Sequence, residues 1–331
     1  MASSEQLKAL LQSHLEKDDD RFMSIALQVA AHEARSGHGK LAQELRDIVE
    51  LAKKKANFKR NSPISIAKGI QDNSGLLFVS HPKYKLVDLI TKDELKVRLE
   101  RLIREQKFMT KLKSHGLSPR RKILLVGAPG TGKTFTASIL AGELDYPLFQ
   151  VRLDALITKF MGESSAKLRQ VFDAISDVRG VYFFDEFDAL GSQRTISNDV
   201  GEARRILNSF LQMIEQDDSN SLIICATNHI EILDHALFRR FDDVIRYELP
   251  AEEEIITLFK NKLSPFVVKN FPWKKLSEKA SGLSSAEITR ASEEAIKELI
   301  IHDYNKITVP ILDAAIADRR DMRNSLFENK A

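Results

Sequence analysis

The residue types and spacing of Gly127–Thr134, GAPGTGKT, suit the binding of a phosphate group. The run follows the apolar segment Lys122–Val126 and precedes a helical pattern. A glycine-rich loop between a strand and a helix turns backbone N–H groups toward one point, where the helix N-terminus adds partial positive charge. We predict a P-loop; the alternative is a chance glycine-rich turn. The predicted nucleotide-binding residues are Gly127, Pro129, Gly130, Thr131, Gly132, Lys133, Thr134 and Phe135. Lys133 would reach the β- and γ-phosphates, and the Thr134 hydroxyl would hold Mg²⁺.

A second polar group follows the apolar segment Val181–Phe184, which is succeeded by Asp185 and Glu186. The carboxyl ends of parallel strands meet at the edge of a sheet where ligands bind. We expect Asp185 to hold Mg²⁺ through its water shell and Glu186 to act as general base toward the attacking water. The alternative is a strand end with two solvated acids.

Asn228 ends the next predicted strand, and its amide could hold the attacking water and report on the γ-phosphate. Farther along, Arg239 and Arg240 follow a short predicted helix. In phosphoryl transfer, an arginine supplied by a neighbouring subunit contributes on the order of 10³–10⁵ in rate. The alternative is a structural pair that bridges to Asp242 or Asp243, and the sequence leaves open which arginine acts.

These groups need a scaffold. The pattern predicts a helix over Lys92–Lys113, a strand over Leu148–Leu153, a helix over Glu252–Leu263 and, earlier in the chain, short apolar pieces such as Leu76–Val79. Strands alternate with helices over residues 86–250. This alternation predicts an α/β fold: a P-loop NTPase parallel sheet with helices on both faces. We predict a helical N-terminal module over 1–55, a linker with short strands over 56–85, the large α/β domain over 86–250 and a helical lid over 251–331. The N-terminal module is either a docking module or an extension that packs on the main body.

Composition narrows the function classes. The chain has 331 residues with 50 basic and 47 acidic side chains, a formal net charge of +3. This near balance gives no argument for a nucleic-acid or membrane partner. The lone cysteine, Cys225, excludes an intramolecular disulfide and fits a reducing compartment. No apolar run approaches the length of a membrane span, so we expect a cytoplasmic protein.

The quoted motifs resemble those of the AAA+ ATPases, specifically the AAA family proper, over about residues 86–318. Asp185–Leu190 is similar to the extended Walker B segment, Asn228 falls at sensor 1, and Gly282–Ile288 resembles the lid motif of the family. The resemblance implies ATP and Mg²⁺ as cofactors and a homo-oligomeric ring, a hexamer. The chain lacks the Pro-Gly spacer between its two arginines and resembles the compact form of the microtubule-severing group.

The resemblance also places a first pore loop at Lys159–Glu163, with Phe160, Met161 and Gly162 as the residues that grip an extended polypeptide. Phe and Met offer sequence-tolerant apolar contact. The alternative is a buried Phe-Met pair in an ordinary loop. Residues Ser192–Val200 would supply a second channel loop.

These features together predict an ATP-hydrolysing ring that remodels or unfolds a protein client. No zincin motif and no Gly-x-Ser-x-Gly elbow occurs, so we expect any proteolysis to come from a partner. The chain also resembles stand-alone bacterial ATPases paired with a subtilisin-like serine protease in plasmid-maintenance or defence modules. A nucleotide-gated switch or scaffold is the alternative, which Glu186 disfavours. The near-neutral charge disfavours a nucleic-acid motor.

Overall fold

The structure is a computed structural model that describes residues 29–30, 43, 75–156, 163–190, 200–229 and 238–328. The chain divides into two compact units, Met1–Asn73 and Ser74–Ala331. Apart from residues 29–30 and 43, the predicted N-terminal module lies outside the described residues, as does most of the predicted linker. The described strands and the predicted site residues belong to the second unit.

Six strands of this unit form one sheet: β1 (Leu77–Ser80), β2 (Lys122–Gly127), β3 (Leu148–Val151), β4 (Val181–Phe184), β5 (Leu222–Thr227) and β6 (Asp243–Tyr247). Their order is β1-β3-β4-β5-β2-β6. Strands β3, β4, β5, β2 and β6 are parallel to one another, and β1 pairs antiparallel with β3. Leu76–Val79, expected as an apolar piece of a linker, is therefore largely an edge strand of the sheet.

Ten α-helices accompany the strands in the described part of this unit. They are α1 (Asp93–Lys107), α2 (Met109–Ser114), α3 (Lys133–Leu144), α4 (Leu153–Leu156), α5 (Glu163–Asp177), α6 (Val200–Gln216), α7 (Glu252–Leu263), α8 (Trp273–Ala280), α9 (Ser285–Ile301) and α10 (Val309–Glu328). The last four follow the final strand, in the part of the chain that is predicted to be a helical lid. The predicted domain boundaries themselves stay predictions.

Successive side chains of a strand point to opposite faces of the sheet, and the inner strands β2, β4 and β5 are nearly continuous buried runs, so both faces of the sheet are covered. Ile123 and Leu125 of β2 belong to a buried cluster with α1 and α3. On the α5 and α6 side, the ring of Phe184 lies 5.2 Å from that of Phe210. Cys225 is fully buried, which raises the pKa of its thiol and makes it a core residue. The predicted α/β class is confirmed.

Two element boundaries differ from the sequence prediction. The helix expected over Lys92–Lys113 is interrupted at Phe108, whose backbone has φ −99° and ψ 18°. The strand expected to reach Leu153 ends at Val151, because the Arg152 carbonyl accepts the first hydrogen bonds of α4. Among the described residues, no helix is both long and apolar enough to cross a membrane.

Candidate functional site

The predicted phosphate-binding loop joins β2 to α3 and forms one wall of a cavity of about 780 Å³. The sheet order places β5 between β4 and β2, so the polar residues that follow all three strands meet there. Residues of helices α7 and α9 also line the cavity. The predicted site residues that line the cavity are Pro129, Gly130, Thr131, Gly132, Lys133, Thr134, Phe135, Asp185, Glu186 and Asn228.

Gly127 is the predicted loop residue that does not line this cavity. It ends β2 with φ 153°, and a Cβ there would lie 2.3 Å from the Tyr247 carbonyl oxygen. A side chain at this position would therefore collide with β6. The glycine is required by close packing between the two strands, rather than by the approach of a phosphate.

Lys133 is held at the centre of the site by oxygens of its own chain. Its Nζ donates to the Asn228 Oδ1 at 2.7 Å and to the carbonyl oxygens of Gly127 at 2.7 Å and Ala128 at 2.9 Å. The side chain is only 7% exposed. This burial lowers the pKa of Lys133, while the charges of Asp185 and Asp188 oppose the shift. The ammonium is thus positioned, partly desolvated and able to exchange these neutral acceptors for phosphate oxygens.

Glu186 is exposed and has a left-handed backbone, with φ 50°. Its N–H donates to the Asp185 Oδ1 at 3.0 Å. A non-glycine residue in this region is uncommon, and such strain is found most often at functional sites. Glu186 lines the cavity, where a general base would have to be.

Asp188 is a polar residue of the site for which sequence reasoning assigned no role. Its Oδ1 accepts hydrogen bonds from the Thr227 Oγ1 at 3.0 Å and from the Asn228 N–H at 3.4 Å. The preceding Phe187 is buried, with its ring 4.7 Å from that of Phe210. Asp188 therefore ties the end of β4 to the end of β5 and fixes the backbone of Asn228. The signal was a further acid three residues after Asp185.

The Thr134 Oγ1 donates to the Asp185 Oδ2 at 2.8 Å, so a hydroxyl and a carboxylate lie side by side at the start of α3. Hard oxygen ligands of this kind suit Mg²⁺, which takes one or two protein ligands and completes its shell with water and phosphate oxygens. The residues present therefore fit this metal.

Comparison with known proteins identifies the family. A family model described as "ATPase family associated with various cellular activities (AAA)" matches residues 123–249. The chain is also 33% identical to the AAA family ATPase y4kL of Sinorhizobium fredii, itself described as uncharacterized. That match extends over 326 residues, 98% of this chain and 97% of the relative. The chain belongs to the AAA family of ATPases. It is an enzyme that binds and hydrolyses ATP.

Two further relatives are larger proteins. The chain is 30% identical to the ATP-dependent zinc metalloprotease FtsH of Metamycoplasma arthritidis over 75% of its own length. It is 34% identical to a proteasome-activating nucleotidase of Saccharolobus islandicus over 65% of its length. The matches span only 34% and 57% of those two proteins, respectively.

The two candidate arginines of this AAA ATPase have different surroundings. Arg239 is exposed, whereas the Arg240 Nη2 forms an ion pair with the Glu215 Oε2 at 3.1 Å. Asp242, one expected partner, instead accepts from the backbone N–H groups of Arg121 and Lys122. Asp243, the other expected partner, forms ion pairs with Arg98 of α1 and with Arg120, which precedes β2. Neither Arg239 nor Arg240 is among the described residues that line the cavity.

The predicted pore-loop residues Phe160, Met161 and Gly162 lie outside the described residues. The same is true of 192–199, most of the proposed second channel loop. Both loops stay predictions. Their flanks are described: α4 ends at Leu156, and α5 begins at Glu163.

Proposed function

We propose that this AAA ATPase forms a homohexameric ring in which ATP, bound in the 780 Å³ cavity, drives the remodelling or unfolding of a protein client. The observation that carries the proposal is the convergence of Lys133, Thr134, Asp185, Glu186 and Asn228 on one cavity. The exposed Arg239 lies away from this cavity, where it can serve a neighbouring subunit. In this proposal, the arginine acts on the cavity of the next subunit rather than on the cavity of its own chain.

Within one subunit, each polar residue has a distinct role in the proposal. The backbone N–H groups of the P-loop and the Lys133 ammonium bind the phosphates. Glu186 accepts the proton of the attacking water, and Asn228, held by Asp188, orients that water. Thr134 and Asp185 hold Mg²⁺, which neutralises phosphate charge.

Between subunits, we assign the arginine finger to Arg239. The surroundings of the two arginines support this choice, because Arg240 is engaged by Glu215 of its own chain. An exposed guanidinium is available to a ligand in the next subunit and offsets the negative charge that develops on the transferred phosphoryl group.

A mixing experiment tests the shared site. Lys133→Ala removes the phosphate-binding cation but leaves Arg239 in place, and Arg239→Ala does the reverse. Each variant alone should hydrolyse ATP on the order of 10³-fold more slowly than the wild type. Random mixing in a ring pairs an intact cavity with an intact neighbouring arginine at about a quarter of sites. A 1:1 mixture should therefore recover up to about a quarter of wild-type turnover.

Arg240→Ala is the matched control, because it removes the guanidinium of the residue that follows Arg239 in the sequence. It should retain most activity alone and gain nothing from mixing with Lys133→Ala. Equal loss in the two arginine variants would reject the assignment to Arg239. Mixed assemblies that form, as judged by light scattering, yet remain inactive would reject a shared site.

The proposal that the client is a protein rests on the names of two relatives and on the predicted pore loop. One relative is named an ATP-dependent protease and another a proteasome-activating nucleotidase, and both names concern protein degradation. We propose that Phe160, Met161 and Gly162 grip the client, and that a partner, a subtilisin-like protease by resemblance, supplies any proteolysis. Phe160→Ala should retain ATPase activity and lose remodelling of a client captured by Glu186→Gln in ATP. Remodelling that survives this change would favour the switch or scaffold.

A further inference from the structure

Tyr247 contacts the P-loop at the residue where the loop begins. It is the last residue of β6, and it lies opposite Gly127 of β2 in the sheet. A Cβ at Gly127 would lie 2.3 Å from the Tyr247 carbonyl oxygen and 2.8 Å from the Tyr247 Cβ. The main chain of Tyr247 therefore packs directly against the first residue of the loop.

The side chain of Tyr247 reaches the other end of the loop through Thr136. The Tyr247 hydroxyl oxygen lies 2.6 Å from the Thr136 Oγ1, which donates to the Gly132 carbonyl oxygen at 3.0 Å. A hydroxyl has one proton and a carbonyl oxygen can only accept, so the Thr136 proton goes to Gly132. Tyr247 must then donate to Thr136. One chain of hydrogen bonds thus runs from Tyr247 through Thr136 to the P-loop.

Both hydroxyls of this chain lie in the core. Thr136 is fully buried, and Tyr247, which is 6% exposed, belongs to the apolar cluster that contains residues of the sheet, α1 and α3. Burial raises the pKa of Tyr247, so its hydroxyl stays protonated and able to donate. Two apolar side chains could fill this space without any hydrogen-bond requirement. What the polar pair adds is a directed contact with a carbonyl group of the P-loop.

The Gly132 carbonyl group is coupled to a donor of the phosphate site. Gly132 is the N-cap of α3, and the first residue of the helix is Lys133. Because the peptide bond between them is planar and trans, the Lys133 N–H points away from the Gly132 carbonyl oxygen. This N–H belongs to the first turn of α3, so it has no acceptor within the helix. A hydrogen bond that fixes the carbonyl therefore also fixes the direction of an N–H group in the P-loop.

We propose that Tyr247 is a positioning residue of the P-loop, whose hydroxyl acts through Thr136 to hold the Gly132–Lys133 peptide in the orientation that binds a phosphate of the nucleotide. The proposal rests on the proposed placement of ATP in the cavity. Tyr247 then holds the loop at both ends, by its main chain at Gly127 and by its hydroxyl at Gly132. A loop held in this way loses less conformational freedom when a phosphate binds.

A pair of variants separates this role from a contribution to stability alone. Tyr247→Phe and Thr136→Val each remove one hydroxyl at nearly constant size, and they are made singly and together in the full chain with Glu186→Gln, which suppresses hydrolysis. Thr136→Val leaves the Tyr247 hydroxyl buried without its acceptor and should lower the urea midpoint. The double variant should recover most of that midpoint, because replacing both polar partners by apolar groups of the same shape is nearly neutral.

The affinity for ATP should not recover with stability. In competition with a fluorescent ATP analogue, the double variant should bind ATP about 5- to 30-fold more weakly than the parent, because the Gly132–Lys133 peptide is no longer held. Tyr247→Phe alone, in which Thr136 still reaches Gly132, should bind ATP about 3- to 10-fold more weakly. Thr136→Ser retains the hydroxyl and should keep the parental affinity.

Steady-state kinetics with Glu186 intact give a second measurement. The N–H contact with a phosphate is made in the ground state and in the transition state alike. The double variant should therefore show a raised KM, with kcat within about twofold of the wild type.

Tyr182→Phe is the matched control, because it also removes a buried tyrosine hydroxyl. The Tyr182 hydroxyl donates to the carbonyl oxygens of Ala174 at 2.7 Å and Val178 at 2.9 Å, and none of these three residues lines the cavity. Tyr182→Phe should lower the urea midpoint and leave the affinity for ATP unchanged.

Three outcomes would overturn the role of Tyr247. They are an unchanged ATP affinity in Tyr247→Phe, a return of parental affinity with stability in the double variant, and equal weakening in Tyr182→Phe. Tyr247→Phe removes a single oxygen atom, so it decides the question even if the double variant does not fold. Lys133→Ala, measured in parallel, should abolish ATP binding. Normal binding by Lys133→Ala would instead refute the placement of ATP in this cavity, and the proposed function with it.

Discussion

The two edges of the parallel sheet use charge in opposite ways. At the amino edge, the Arg120 guanidinium donates to Glu105 at 2.8 Å and to Asp243 at 3.0 Å. Arg98 also pairs with Asp243. At the carboxyl edge, Glu186 is exposed and the Lys133 ammonium is engaged mainly by neutral oxygens. Glu105, Arg120 and Asp243 are matched within the chain at the first edge, whereas Lys133 and Glu186 at the second edge face a cavity.

The pKa values express the same difference. Hydrogen bonds and the charge of Arg120 lower the pKa of Glu105 to about 2, so its charged form is stabilised by folding. Burial lowers the pKa of Lys133, so folding disfavours its charged form. Substitutions at the amino edge should therefore reduce stability, and those at the carboxyl edge should reduce activity.

The largest expected effect is at the carboxyl edge. Glu186→Gln removes the proposed general base while retaining its size and hydrogen-bonding capacity. Turnover of ATP should fall by about 10²- to 10⁴-fold because the attacking water is no longer deprotonated. Steady-state phosphate release measures the loss. ATP affinity and the urea midpoint should stay close to those of the wild type, since Glu186 is exposed.

Glu278→Gln provides the matched control, because it changes an exposed glutamate of α8 outside the cavity. It should leave turnover unchanged. A Glu186→Gln protein that hydrolyses ATP at the normal rate would remove the general base from the proposal and weaken the contrast between the edges.

A substitution at the amino edge should lower the free energy of unfolding. Glu105→Gln removes a carboxylate whose folded pKa lies well below its unfolded value, so the contribution of Glu105 is complete above about pH 4.5 and is lost as pH falls toward 2. At pH 7 the free energy of unfolding should decrease by about 2 kcal/mol. Urea unfolding at pH 7 and at pH 4 should show a smaller difference between variant and wild type at the lower pH.

Glu100→Gln, an exposed change on the same helix α1, should leave the urea midpoint almost unchanged. ATP turnover of folded Glu105→Gln should match that of the wild type. A large loss of turnover without loss of stability would contradict the division between the edges.

The sequence predicted most of the carboxyl edge because its signals are local. The glycine-rich loop, the acids after β4 and the amide after β5 each follow an apolar run, and strand alternation alone predicts that they meet. Lys133, Asp185, Glu186 and Asn228 accordingly line one cavity. The predicted helix over Glu252–Leu263 agrees with α7 residue for residue.

What the sequence did not predict depends on contacts between distant residues. Glu105, Arg120 and Asp243 meet only once the sheet is assembled, and nothing in their local spacing indicates the network. Asp188 is recognised through its bonds to Thr227 and Asn228. The difference between the surroundings of Arg239 and those of Arg240 likewise depends on Glu215, which lies 25 residues earlier than Arg240 in the chain.

The smallest expected effect concerns two glycines with nearly the same backbone. Gly130 has φ +77° and Gly116 has φ +73°, but a Cβ at Gly116 would meet nothing within 4 Å. Gly116→Ala should therefore cost about 1 kcal/mol of unfolding free energy from backbone strain alone. Gly130→Ala should cost about 1 kcal/mol more, because its Cβ would lie 2.6 Å from the Ser284 Oγ.

A double-mutant cycle isolates that additional cost as a contact with the lid. Ser284→Gly removes the hydroxyl and, as glycine is tolerated at an N-cap, should itself cost only a few tenths of a kcal/mol. Combined with Gly130→Ala, it should recover about half of the difference from Gly116→Ala, since the Ala286 Cβ would still lie 3.1 Å away. Additive costs in the cycle would show that α9 does not press on the P-loop. The carboxyl edge would then be bounded by the α/β part of the chain alone.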